Sequence, residues 1–335
     1  MNNVKIGNLT INSQVSLAPM AGITDYVLRS LVRVYSKTCL ITTEMISSEA
    51  LINESKCKKR DMIASNNLLK KDDDHSPVAY QLTGHKPELM ADAAKIIEPM
   101  ADIIDINMGC PVNKVVKGQD GCALMRNPKL AMKIVSTIKS VISKPLSVKF
   151  RLGYTQDEMN FKDYGKMMQD AGADFITIHA RTRSQMYSGK ADWEKIRELK
   201  NNVSIPVFAN GDITTVESAV ECLKISGADG VAIGRGVLSD VSLLHRIEHY
   251  LKTGENLPPL SLEEKIKILK KLIDMEVELR GEEVGIKFVR KFYPYYVSGI
   301  QNAAKYRSEL VLESDYDVIM KKLDMIAETY SVLSV

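Results

Sequence analysis

Between residues 15 and 252 the chain repeats one pattern eight times: a short apolar, β-branched run followed by a longer segment with apolar positions at helical spacing. The runs predict strands at 15–18, 38–43, 77–82, 102–107, 145–151, 174–180, 206–210 and 230–234. Between them, stretches such as PELMADAAKIIEPM, PKLAMKIVSTIKSVI, FKDYGKMMQDAG and TTVESAVECLKISG read as amphipathic helices, the last opening with a capping box of Thr214 and Glu217. Eight strand-then-helix units in succession favour a closed parallel (β/α)8 TIM barrel over a doubly wound sheet, because each parallel crossover needs its own covering helix.

After KTGENLPPL the pattern changes. Pro258 and Pro259 stop one element, and Ser261 with Glu264 forms the capping box of the next. Leu262, Ile266, Leu269, Ile273 and Val277 then fall on one helical face, and a second amphipathic run covers 315–330. The expected organisation is a catalytic barrel over 1–255 and a small C-terminal helical domain over 256–335. The KKDDDHS stretch reads as a solvated turn.

No apolar stretch reaches the roughly 18–20 residues that a membrane span requires, and the first residues lack a signal-type apolar run, so a cytoplasmic protein without a membrane partner is expected. Five cysteines (Cys39, Cys57, Cys110, Cys122 and Cys222) stand far apart with no CxxC pair, which argues against disulfides and against bound metal. The 45 basic and 42 acidic residues nearly balance, so a polyanion must be met by a local patch and not by bulk charge.

In a barrel of this kind the chemistry sits at the C-terminal ends of the strands. Here those ends carry Pro19-Met20-Ala21-Gly22, Gln81, Asn107-Met108-Gly109-Cys110-Pro111, Lys149 and Arg151, His179 and Arg181, Asn210-Gly211-Asp212, and Gly234-Arg235-Gly236. Gly211 and Gly234, with Arg235, suit a phosphate seat at the ends of the last two strands. Lys149 and Arg151 share one face of their strand by the period of two, and two neighbouring cations require an anion. A flavin, whose reduced ring is negative near N1 and O2, is one candidate; an ion pair with Asp105 or Asp212 is the other. Cys110, in a Gly-Cys-Pro turn directly after a strand, stands where a thiol acts either as nucleophile or as proton donor, and spacing alone does not choose. Cys39 and Cys222 lie within apolar runs and read as inert.

The segments LAPMAGITD, DINMGCPVNKVVKGQDGCALM, VKFRLG, IHARTRSQMYSGKADW, VFANGDI and AIGRG together resemble the tRNA-dihydrouridine synthase family across roughly residues 4–252. The Gly-Cys-Pro turn and the GxADW stretch are the specific marks; APM, NGD and GRG occur in other flavin barrels. The resemblance implies an FMN oxidoreductase that uses NADPH to reduce the C5=C6 bond of a uridine in tRNA or another structured RNA. It implies FMN contacts from Pro19, Met20 and Ala21 along the ring, Gln81 and Lys149 at its polar edge, and His179, Asn210, Gly211, Asp212, Gly234 and Arg235 towards ribityl and phosphate. Cys110 would be the general acid, and Asn107, Arg151, Arg181 and Gln185, with Tyr187, would meet the uracil and its phosphate.

The helical tail stands where that family carries its RNA-binding domain. Its segment GIKFVRKFYPYYVSGIQNAAKYRS holds Lys287, Arg290, Lys291, Lys305 and Arg307 interleaved with Phe292, Tyr293, Tyr295 and Tyr296, a basic and aromatic mixture suited to RNA. Lys114 and Lys117 add charge beside Cys110, whereas Cys122 is expected to begin a helix. The rival readings are an FMN barrel acting on a free pyrimidine, as a dihydroorotate dehydrogenase does, and a non-catalytic RNA-binding protein on a disabled barrel.

Overall fold

The computed structural model describes residues 3–56, 69–70 and 77–331. A hairpin of β1 (Val4–Ile6) and β2 (Leu9–Ile11) comes first. Eight parallel strands follow and close on themselves: β3 (Val15–Leu17), β4 (Leu40–Ser47), β5 (Val78–Thr83), β6 (Ile103–Met108), β7 (Leu146–Arg151), β8 (Phe175–His179), β9 (Val207–Asn210) and β10 (Gly230–Ile233), with β10 pairing β3. Each expected strand is present. The barrel helices are α1 (Tyr26–Tyr35), α2 (Ser48–Lys56), α3 (Pro87–Ile97), the short α4 (Asn113–Lys117), α5 (Pro128–Lys139), α6 (Phe161–Asp170), α7 (Trp193–Lys200), α8 (Val216–Ser226) and α9 (Leu243–Thr253).

Alternation along the strands separates two cores. Leu146, Val148 and Phe150 face outward into the layer beneath the helices, where Phe150 meets Tyr164 edge to face. Inside the barrel, Ala18, Leu40, Ala79, Ile103, Phe175 and Phe208 form a separate apolar plug with Val4, Ile6 and Ile11 of the hairpin. The hairpin was not legible in advance: three-residue strands carry too little alternation to register, and their value lies in covering one end of the barrel interior. Above the plug lies a polar layer that includes Ser16, Thr42, Asp105, Ser147, Lys149 and Thr177 around a small cavity.

One expected cap is shifted. The start of α8 is capped by Thr215 with Ser218 at the third position, not by Thr214 with Glu217, because the Ser218 hydroxyl reaches back to the Thr215 amide and the Thr215 hydroxyl accepts from Ser218 N. The box of Ser261 and Glu264 forms as expected. The KKDDDHS stretch lies outside the described residues except for Lys70, and Cys57 lies outside them too.

After α9 the tail folds as α10 (Leu262–Arg280), α11 (Glu282–Val289), α12 (Tyr293–Tyr296), α13 (Ala303–Leu312) and α14 (Tyr316–Ser331). Ile266, Leu269, Leu272 and Ile273 of α10 are buried in an apolar core continuous with the barrel's outer layer, packed next to α1. Among the described residues no helix is long and apolar enough to cross a membrane.

Candidate active site

The inward residues of β5, β6 and β7 build a hydrogen-bonded ladder that rises to the Gly-Cys-Pro turn. Ser147 Oγ donates to Asp105 Oδ1 (2.6 Å), and Gln81 Nε2 donates to Asp105 Oδ2 (2.6 Å). Asn107 Nδ2 donates to Gln81 Oε1 (2.7 Å), while Asn107 Oδ1 accepts from the amides of Gly109 (3.2 Å) and Cys110 (2.9 Å). Gln81 and Asn107 thus hold the cysteine turn from below, and Asn107 Nδ2 also reaches Met45 Sδ at 4.0 Å.

Cys110 is half-buried, whereas Cys122 is fully buried and donates its amide to Cys110 O at 3.1 Å. Cys122 is the second residue of a short 3-10 helix, Gly121–Arg126, consistent with its expected place at a helix start. Burial pushes the Cys110 thiol above its ordinary range, Asp120 adds to the shift, and a backbone hydrogen bond from Val112 with the charges of Arg151 and Lys149 opposes it. The raised value favours a protonated thiol over a thiolate at neutral pH. Cys122, pushed to about 12 by burial, is inert.

Lys149 projects from β7 into the barrel, and its ammonium donates to Asn210 Oδ1 at 3.3 Å. Burial and the neighbouring Arg151 lower it to about 8, with Asp105 pulling the other way. The alternative of an ion pair with Asp212 does not form, since Asp212 Oδ2 is taken by Arg181 Nη2 and by the Ala191 amide, both at 2.7 Å. Lys149 is half-buried, hydrogen-bonded to a neutral amide and in no ion pair among the described residues, and such a cation is stabilised by a ligand that brings negative charge.

His179 ends β8, the strand paired with that of Lys149, and stands opposite Arg151 in register. Burial first, then Arg151, Lys149, Arg181 and Arg235, hold its imidazole well below the ordinary range, so it is neutral. Asn210 Nδ2 donates to Ala232 O (2.7 Å), and the Trp193 indole donates to Gly211 O (2.9 Å), fixing the turn after β9. That contact gives the GxADW stretch a physical role. At Gly234 the direction a Cβ would take meets only Met20 Sδ, at 3.7 Å, so room remains beside the backbone that precedes exposed Arg235. Pro19 and Met20 are half-buried and Ala21 is exposed on the loop after β3. Pro19 and Lys149 line the small cavity above the apolar plug, and Gly234 and Arg235 stand at the end of β10, where the neighbouring Ala232 lines the same cavity.

The two arginines expected at the substrate are bound to the protein itself. Arg151 donates to Gly109 O (2.9 Å), Thr182 O (3.0 Å) and Met186 O (2.7 Å), bolting the cysteine turn to the loop after β8. Arg181 adds Ser188 O (3.0 Å) and Gly189 O (2.5 Å) to its Asp212 pair. Gln185 Oε1 closes the same loop by accepting from Thr182 N (2.7 Å). Tyr187 stands exposed between Arg151 and Arg235, at 5.5 Å and 5.1 Å from its ring centre.

In the tail, Phe292, Tyr293 and Tyr296 are core residues with at most 1% exposure, so the expectation that they belong to a basic and aromatic RNA-contact surface is corrected for these three. A basic and aromatic alternation also arises when a short helix buries its aromatic face, and composition does not separate the cases. Lys287 is exposed and pairs with Glu283 (2.6 Å), Arg290 donates to Glu313 O (3.1 Å), and Lys291 turns towards the barrel. Two features had no sequence signal: the joint that Asp25, Glu44, Glu276 and Arg280 form with Lys291, and a His85–Asp120 pair at 2.8 Å beside the cysteine turn. Their members come from distant segments, and no spacing rule links them.

The sequence model of the family described as Dihydrouridine synthase (Dus) matches residues 16–329. The chain is 40% identical over 329 residues to a probable tRNA-dihydrouridine synthase of Rickettsia conorii, covering 98% of this chain and 96% of that protein. It is 38% identical to probable tRNA-dihydrouridine synthase 1 of Synechocystis sp., with 92% of this chain and 84% of the relative covered. Against tRNA-dihydrouridine synthase B of Pseudomonas syringae the identity is 35%, with coverage of 92% and 89%. A solved structure of a variant of NCR from Zymomonas mobilis shares the fold at a TM-score of 0.51 and 14% identity, covering 76% of this chain and 92% of that one. The match over nearly the whole length, on a barrel whose mouth presents the cysteine turn, establishes that the chain belongs to the dihydrouridine synthase family.

Proposed function

We propose that this protein reduces the C5=C6 bond of specific uridines in tRNA, with FMN as its cofactor and NADPH as the reductant. The observation that carries the reading is Cys110: a half-buried thiol on a turn anchored by Asn107, its pKa raised by burial and pulled the other way by the Arg151 and Lys149 charges. The names of the family and of its curated relatives support the choice of uridine in tRNA.

When bound, FMN would supply a hydride taken from NADPH to C6 of the uracil. Pro19, Met20 and Ala21 would line its ring, with Gln81 and Lys149 at the polar edge, the ammonium offsetting negative charge there. His179, Asn210, Gly211 and Asp212 would lead to a phosphate at Gly234 and Arg235. Cys110 would hold the second hydrogen and pass it to C5 as a proton, after which Arg151 and Lys149 would offset the thiolate charge until solvent returns the proton. Asn107, Arg151, Arg181 and Gln185 would shape the floor and wall against which the uracil lies. A base must leave its stack to reach this depth, which requires a grip on the flanking phosphates. Exposed Lys114 and Lys117 beside the cysteine turn, with residues 256–335 carrying Lys287 and Arg290, are the surface assigned to that grip.

The test is an absorbance spectrum of the purified protein, followed by nucleoside mass spectrometry of tRNA from cells with and without the gene. Flavin bands and the loss of a dihydrouridine are expected, and Cys110→Ala should keep the flavin while losing uridine reduction. Flavin without any change in tRNA would overturn the substrate, and full activity of Cys110→Ala would overturn the proton donor.

A further inference from the structure

Lys291 belongs, by its surroundings, to the loop that follows β3. That loop, residues 18–25, carries Pro19, Met20 and Ala21. Met20 to Thr24 form a tight turn: Ile23 N and Thr24 N donate to Met20 O at 3.0 and 2.9 Å, and the Met20 amide donates to Thr24 Oγ1 at 3.0 Å. At its tip Gly22 adopts φ +71°, and both of its peptide groups are gripped from outside the loop. Its amide donates to the carboxylate of Glu44, which is presented where β4 gains one extra residue against β5. Its carbonyl accepts from the Lys291 ammonium, which also stands 3.0 Å from the centre of the Phe288 ring.

The other end of the loop is held from the same side. Asp25 caps α1 through Leu28 N and also accepts from Arg280 Nη2 at 2.7 Å, while Arg280 Nε donates to Glu276 at 2.5 Å. Asp25, Glu44 and Glu276 are at most 9% exposed. This joint therefore sets Asp25 and Glu44 against the cations Lys291, Arg280 and Arg29, while burial and the neighbouring Asp25 push Glu276 up to about 8. A phosphate brought to Lys291 would meet those acids as well, whereas exposed Lys287 on the outer face pairs with Glu283. The electrostatics favour an internal use of Lys291.

We propose that Lys291 is a positioning residue for the cofactor site: the helical tail, through Lys291 on Gly22, sets the loop that places Met20 against the ring and the Gly234 seat. The proposal rests on the reading of that pocket as a flavin site. It makes the tail part of the cofactor site as well as a candidate RNA surface, so the cofactor and the tail are energetically linked.

The test compares wild-type holoprotein with Lys291→Met and Lys291→Arg, measuring flavin dissociation from the fluorescence of released FMN and RNA affinity as a function of salt. Lys291→Met should hold FMN at least ~10-fold more weakly, Lys291→Arg should recover to within ~3-fold, and the salt slope for RNA should equal that of wild type. Unchanged flavin retention in Lys291→Met, with a salt slope reduced by about one, would overturn the proposal and make Lys291 a phosphate contact. Circular dichroism and thermal unfolding accompany each variant. If Lys291→Met does not fold, Lys291→Ala, which likewise removes the N–H donor to Gly22, reads the same loop, and wild-type flavin retention there overturns the proposal equally. A wild-type protein that purifies without flavin and takes none up would remove the underlying pocket reading, a failure visible before any variant is made.

Discussion

Gly121→Ala is the substitution that most directly separates the position of the thiol from its identity. Gly121 has φ +59°, a conformation that costs a residue with a Cβ about 1–2 kcal/mol. An added Cβ would lie 2.7 Å from Cys110 O and 3.0 Å from Cys110 Cβ. No rotamer change relieves a contact with a carbonyl oxygen, so the cysteine turn must move, at an overpacking cost of about 1–3 kcal/mol. The Cys122 N to Cys110 O hydrogen bond lies in the same contact and would stretch with it. The total of about 2–5 kcal/mol corresponds, for 335 residues, to a fall in Tm of roughly 3–7 °C. The catalytic effect should be larger than the thermal one, because a misplacement of about 1 Å at a reacting group can cost on the order of 100-fold. The assay is single-turnover formation of dihydrouridine by pre-reduced enzyme, quantified by nucleoside mass spectrometry, beside a thermal melt. Gly254→Ala is the control: it carries φ +78° with nothing within 4 Å, so it isolates the backbone cost. If Gly121→Ala reduces uridine at the wild-type rate, and loses no more stability than Gly254→Ala, the close packing against Gly121 does not position the cysteine turn.

Three further outcomes are expected. Lys149→Ala should slow flavin reduction by NADPH at least ~10-fold, as seen by stopped-flow loss of flavin absorbance, since the half-buried ammonium is the cation assigned to the ring's polar edge; an unchanged reductive half-reaction would count against it. His179 is held neutral by burial and by four surrounding cations. Below about pH 6.5 the unfolded chain takes up a proton at this residue that the folded protein refuses, so stability should fall by up to ~1.4 kcal/mol per pH unit as pH drops. Urea unfolding of His179→Gln at pH 7 and pH 5.5 should show a shallower loss than wild type, and equal losses would sink the assignment. Replacing Lys114 and Lys117 together with alanine should lower the salt slope of RNA binding by about 1.4–1.8, and a wild-type slope would move the contact surface away from the cysteine turn.

The barrel was legible because its signal is local and repeated: eight apolar runs, each followed by an amphipathic segment, leave few other ways to bury both faces of a parallel sheet. Strand-end positions were legible for the same reason, since parity along β7 alone sends Lys149 and Arg151 inward and Val148 and Phe150 outward. The partners of those side chains were not legible. Arg181 reads from sequence as a free cation at a strand end, yet it is spent on Asp212, Ser188 and Gly189. Lys291 reads as one more charge in a basic run, yet it closes on Gly22, 269 positions away in sequence.

The aromatic residues of the tail show the same division most plainly. Their number and spacing were set by the sequence, but an aromatic ring satisfies a helix core and a nucleic-acid surface by the same chemistry, and only the packing of α12 against its neighbours decided for the core. Sequence alone determined the fold class and the inventory of chemical groups at the mouth, because periodicity and residue type act over a few neighbours. Which of those groups remain available to a ligand was decided by tertiary structure, because a hydrogen bond or ion pair commits an atom to whatever the fold brings within about 3 Å of it.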